Sequence, residues 1–122
     1  MARYERLRRS RDLDRVFQQG MWRRAEGVSA GAFPRDDDGP ARVAFIAGRA
    51  VGTAVRRNRA RRRLREALRT MPVVLRPGKD VVLAARHDTP ELPFVELQAA
   101  VGRLLMRLGC VEPDGESTES GP

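Results

Sequence analysis

The sequence predicts an α+β domain in which helices and strands follow one another in the order αββαβα and pack as a two-layer sandwich, helices against a small sheet. Three observations predict it. Apolar residues recur at helical spacing in residues 13–17, 60–71 and 94–108, and short alternating or continuous apolar runs lie between these segments at 28–32, 43–46 and 81–85. A chain of 122 residues suits a single domain with one modest core, and no internal repeat divides it. Residues 1–110 are read as that domain. Within it, residues 1–9 form a basic arm whose order the sequence leaves open, and residues 111–122 form an acidic tail expected to be disordered.

In chain order, Ser10 can cap a first helix with Asp12 in its first turn, reaching about Gln19, and Gly20 suits the position just past its end. Leu13, Val16 and Phe17 then share one face. Residues 22–33, with the alternation Val28, Ala30, Ala32, read as the first strand, and the Pro/Asp/Gly-rich stretch 34–41 as a loop. Asp36, Asp37 and Asp38 in that loop are expected to be solvated rather than to hold a metal. Residues 42–47 form the second strand, with Val43 and Phe45 on one face and Ala44 and Ile46 on the other, and it is expected to pair antiparallel with the first.

The central helix carries the most information. Thr53 can cap it, and no Gly or Pro interrupts the chain before Pro72, so a helix of about residues 54–70 is expected. At about 100° per residue, Ala60, Leu64, Ala67, Leu68 and Met71 form one apolar stripe facing the core, while Asn58, Arg62, Arg65 and Arg69 share a face well away from it. Arg57 falls near the end of the stripe, where a long stem can pack while its charged head reaches water. Between residues 49 and 69 stand nine arginines and one acid, Glu66, a local charge equal to the +8 of the whole chain. Solvated helices normally interleave acids and bases; here neighbours repel, which implies a polyanionic partner whose phosphates suit arginine's planar fork.

After the helix, Arg76-Pro77-Gly78 is a turn, residues 80–86 are a buried strand, and Phe94, Leu97, Val101, Leu104, Leu105 and Leu108 form the core face of a last helix closed by Gly109.

Composition narrows the function classes. With 23 arginines, a single lysine, Lys79, and a pI near 11.3, the chain calls for nucleic acid or another anionic surface. There is no signal peptide and no long apolar run, so a soluble cytoplasmic protein is expected, without a membrane partner. One cysteine, Cys110, and one histidine, His87, assemble neither a disulfide nor a zinc site, and no nucleophile–base pair or glycine-rich phosphate loop marks a catalytic centre.

At Arg57-Asn58-Arg59, within VGTAVRRNRARRRLREALR, the chain resembles the protein subunit of bacterial ribonuclease P. RDLDRVFQQG is similar to that family's first helix, RVAFIAGRAVG to its second strand and approach to the basic helix, and KDVVLAAR with FVELQAAVGRLLMRLG to its last strand and helix. The resemblance implies a small mixed sheet with a left-handed βαβ crossover, against the usual right-handed rule. It also implies the non-catalytic protein subunit of an endoribonuclease, one that helps a catalytic RNA cut the 5′ leader from precursor tRNA. No cofactor would bind the protein alone; magnesium would enter through the RNA subunit. By the same resemblance Arg57, Asn58, Arg61, Arg62, Arg65 and Arg69 contact the RNA subunit. Arg11, Leu13, Phe17, Arg49, Arg86 and His87 contact the single-stranded leader, in a cleft between the first helix and the sheet. Four positions depart from the family pattern: Leu13 stands where another Phe is usual, Gly31 where an aromatic often falls, Ala50 in place of a Lys, and His87 where a base is common.

The alternative is a ribosomal or other translation-linked RNA-binding module without catalytic association. A DNA-binding basic zipper is disfavoured because Thr70-Met71-Pro72 ends the helix where leucine heptads would have to begin. A membrane-surface helix is disfavoured because the core needs the apolar stripe.

Overall fold

The computed structural model describes residues 4–111. Its elements are β1 (Glu5–Arg6), α1 (Ser10–Gln19), β2 (Met21–Ala25), β3 (Val28–Pro34), β4 (Arg42–Ile46), a 3₁₀ turn at Arg49–Val51, α2 (Ala54–Arg69), β5 (Lys79–Ala85) and α3 (Phe94–Arg107). The strands form one mixed sheet in the order β1-β4-β5-β3-β2. β5 lies at its centre, parallel to β4 and antiparallel to β3. Its composition explains the place: a strand covered on both faces must be apolar on both, and Val81, Val82 and Leu83 are all nearly inaccessible.

The alternation along β5 divides the core in two. Val81 and Leu83 join Leu64, Leu68, Leu97, Val101 and Leu105 from α2 and α3 on one face. Val82 joins Val16 of α1, Ala44 of β4 and Leu7 on the other. The stripe foreseen on α2, Ala60, Leu64, Ala67, Leu68 and Met71, is buried throughout, and each leucine so buried contributes about 1.5–3 kcal/mol. Thr53 caps α2, its Oγ1 accepting from the Arg56 backbone N–H at 3.2 Å.

The α+β class, the mixed sheet and the central basic helix hold, with several corrections. Residues 5–6, whose order the sequence leaves open, pair parallel with Arg42 and Val43 of β4, and Leu7 is buried. Ser10 is the first helical residue rather than the cap; Arg9 precedes the helix in an extended conformation and no side chain caps it. Gly20 is extended, not left-handed, and is small for a steric reason, since a Cβ there would stand 2.5 Å from the Val16 carbonyl oxygen. The single strand expected at 22–33 is a hairpin, β2 and β3, turned through Glu26 and Gly27, where Gly27 has φ of 84°.

The expected β3–β4 antiparallel pair does not form, because β5 inserts between them. Helices cover both faces, α1 on one and α2 with α3 on the other, so the sandwich has three layers instead of two. Val111, assigned to the tail, is buried and bridged to Leu75, which anchors the chain after α3. The rest of the expected acidic tail lies outside the described residues.

A buried ionic network ties the sheet to α1. The Asp80 carboxylate, with no accessible surface, accepts from Arg35 at 2.8 Å and from Arg42 at 2.8 and 2.7 Å. Arg42 also reaches Asp12 of α1, and Arg35 grips Asp37. Asp37, expected to be merely solvated, is therefore a clamp for the loop, and the Arg35 hydrogen bond holds its carboxyl at about 2.

Candidate nucleic-acid interface

The nine clustered arginines serve two purposes. Arg56, Arg59 and Arg63 follow one helical line, i, i+3, i+7, and turn toward the connection between β5 and α3. Arg56 pairs with Glu91 and donates to the carbonyls of Val51 and His87. Arg59 donates to the carbonyl of Pro90 at 3.2 Å and Arg63 to that of Thr89 at 2.6 Å. Burial lowers the Arg63 pKa, and the Arg56 hydrogen bond holds Glu91 below the usual carboxylate range. Thr89 continues the latch, donating to the Gly27 carbonyl at 2.6 Å. These three guanidiniums hold a loop, and their shared spacing was a signal for it.

The other line is turned to solvent. Asn58, Arg62 and Arg69 are exposed, while Arg57, Arg61 and Arg65 are half-buried. Arg61 donates to the Asn58 Oδ1, and Arg69 pairs with Glu66, holding that acid below its ordinary value. The Arg65 guanidinium lies 5.4 Å over the Phe45 ring, in cation–π geometry. Among the described residues, none of Arg57, Arg61, Arg62 and Arg65 has a carboxylate partner. Four cations without local compensation therefore cluster on one ridge of α2.

A second candidate surface lies across the sheet. Cross-strand register aligns Trp22, Gly31, Val82 and Ala44 in one row and Arg24, Ser29, Ala84 and Ile46 in the next. α1 covers the first row through Val16. Beyond the helix the second row floors a shallow cavity of about 370 Å³, lined by Trp22, Arg23, Arg24, Ser29 and Ala84. Phe17, at the rim, is 50% exposed and stacked on Trp22.

Of the residues assigned to the leader, the structure brings Phe17 to this rim. Leu13 is half-buried and packs into the core beneath α1. Arg49 and Arg86 follow the C-terminal ends of β4 and β5, which are parallel neighbours, so both stand at one end of the sheet; Arg49 is exposed and Arg86 half-buried. His87 is exposed and its carbonyl serves Arg56. Arg11 is exposed in the first turn of α1, about 200° around the helix from Leu13, so it points off the buried face. Trp22 and Arg24, which line the cavity, escaped the sequence reading because the hairpin that aligns them was not foreseen. Cys110 is buried, and burial pushes its thiol up to about 11, as an unreactive side chain requires.

Comparison with known proteins decides between the two RNA-binding readings. The Ribonuclease P family model matches residues 1–109. A ribonuclease P protein component of Chloroflexus aggregans is 41% identical, over all of this chain and 90% of its own length. One from Roseiflexus castenholzii is 40% identical over 92% of each chain. The solved ribonuclease P protein of Thermotoga maritima superposes with a TM-score of 0.68 at 27% identity, covering 84% of this chain and 96% of the other. With a match along nearly its whole length and the same α+β framework under its arginine-lined helix, the chain belongs to the ribonuclease P protein family.

Proposed function

We propose that this protein is the RNA-binding, non-catalytic subunit of a ribonucleoprotein that removes the 5′ leader from precursor tRNA, the chemistry being carried by an RNA subunit. One observation carries the proposal: α2 commits Arg56, Arg59 and Arg63 to the loop between β5 and α3 and, among the described residues, leaves Arg57, Arg61, Arg62 and Arg65 without acidic partners. Like-charge crowding that the fold does not neutralise is relieved by phosphates, and arginine's fork suits them. With Asn58 and Arg69 these four dock the RNA subunit. The leader enters the cleft between α1 and the open row of the sheet, where Phe17 offers a ring for unpaired bases and Arg24, Arg49 and Arg86 supply positive charge. Leu13 packs α1 onto the sheet, and Arg11 and His87, both exposed, add basic or hydrogen-bonding reach to the flanking RNA.

Magnesium is held by the RNA. Among the described residues no group of three or more His, Cys, Asp or Glu could hold a metal ion, and the acids nearest the arginine ridge, Glu66 and Glu91, are engaged by Arg69 and Arg56. The protein contributes charge neutralisation and positioning, not proton transfer. Its setting is the cytoplasm; among the described residues no helix is long and apolar enough to cross a membrane.

The test is reconstitution. Precursor tRNA and the RNA subunit are combined at low magnesium with and without this protein, and cleavage is expected to rise when it is added. No gain would overturn the proposal, and so would cleavage by the protein alone.

A further inference from the structure

We infer that Trp22 is a positioning residue: from edge strand β2 it occupies the space over Gly31 and holds Phe17 flat as a stacking platform for an unpaired RNA base. This rests on the cleft being the leader's seat and names the residue that makes it one. The indole is held by three independent contacts. Its Nε1–H donates to the Val16 carbonyl at 3.0 Å, near the end of α1. Its ring atoms stand where any side chain on Gly31 would begin, since a Cβ there would lie 2.3–2.6 Å from Cε2, Cζ2 and Cδ2. Phe17 stacks on it with centroids 5.2 Å apart and planes 21° from parallel.

Register makes this possible, because Trp22 and Gly31 are direct cross-strand partners and their side chains share one face. An aromatic side chain at 31 and the tryptophan at 22 exclude each other. The chain carries the tryptophan, tied at once to helix and sheet. A ring that only filled the core would bury its neighbour as well, yet Phe17 stays half exposed. Beside it the indole edge continues into the cavity with Arg24 and Ser29. Arg24 is exposed, and its guanidinium makes no ion pair or hydrogen bond among the described residues. A supported aromatic face next to an uncommitted cation is the arrangement that holds single-stranded nucleic acid without reading its sequence.

Trp22 is the only tryptophan in the chain, so its emission reports on this site alone. A short single-stranded oligoribonucleotide of leader sequence, added to the full-length protein, is expected to quench that emission as it binds. Binding seen by anisotropy of a labelled oligonucleotide with no change in emission would overturn the inference. In the reconstituted complex, Trp22→Leu is expected to lower affinity for leader-bearing precursor tRNA about tenfold and leave affinity for leaderless tRNA unchanged. The pair Trp22→Ser with Gly31→Phe, which returns a ring to the vacated space from the neighbouring strand, is expected to recover most of the loss. Should Trp22→Leu keep the leader preference while Phe17→Leu loses it, the leader cleft would stand and the role of Trp22 would fall. Should neither variant change the preference, both would fall.

Discussion

At the scale of single residues, identical side chains have separate roles because of where the helix turns them. Arg62 is exposed, its side chain without a partner among the described residues, whereas Arg63, one position on, donates to the Thr89 carbonyl at 2.6 Å. Arg63→Ala is expected to lower unfolding free energy by about 0.5–1.5 kcal/mol, a typical net hydrogen bond, and Arg62→Ala to leave it within about 0.5 kcal/mol while weakening RNA-subunit binding. Denaturant titration and filter binding of the two variants would separate the roles. Asp80 is the most exacting acid in the chain. Its replacement by Ala takes from Arg35 and Arg42 the one fully buried carboxylate they share, and unfolding free energy is expected to fall by about 3–5 kcal/mol. Asp37 gives a pH signature. Its folded value of about 2 lies below the ordinary 3.8, so its clamp contributes fully above the ordinary value and is lost as pH falls from 3.8 toward about 2. Amide exchange in residues 35–40 is expected to accelerate across that window in the native protein, and Arg35→Ala to remove the dependence.

Elements explain how a helix so crowded with like charge persists. Among the described residues the one ion pair within α2 is Arg69 with Glu66, and the helix's stability comes from the apolar stripe and from the loop its arginines grip. Leu64 sits at the middle of that stripe with no accessible surface. Leu64→Ala is expected to cost about 2–5 kcal/mol, read by thermal or denaturant unfolding, because a cavity would open beneath the arginine ridge. α1 shows the complementary design: Val16 anchors it to the sheet while Phe17, the next residue, faces outward over Trp22. The edge strands β1 and β2 are tied in by Leu7 and Trp22, which lie on the α1 side of the sheet.

For the whole molecule, charge distribution predicts behaviour that no single residue does. About six phosphate contacts from the α2 ridge would make RNA-subunit affinity fall roughly 10³-fold between about 50 and about 200 mM salt. A flat titration would mean that the ridge does not carry binding. The two surfaces proposed to face RNA, the ridge of α2 and the cleft beside α1, lie on opposite faces of one sheet, since α1 and α2 cover opposite sides of β5. Under the proposed function, that placement would let one protein touch a large RNA and its substrate at once.

What was legible in the amino-acid order alone was whatever depends on local periodicity. The span and stripe of α2, the core face of α3, the apolar run of β5 and the crowding of like charge along α2 follow from spacing within one element, where neighbours in sequence are neighbours in space. Tertiary structure decided everything that depends on distant segments meeting. It set β5 between β3 and β4, drew residues 5–6 onto the sheet edge, and set three of nine similar arginines to hold a loop while four others meet no acid among the described residues. It also laid Trp22 over Gly31, residues nine positions apart that a hairpin makes adjacent. The reason is physical: strand pairing satisfies backbone hydrogen bonds that any residue carries, so the choice of partner is written in the competition of the whole core for burial and not in any one stretch of chain.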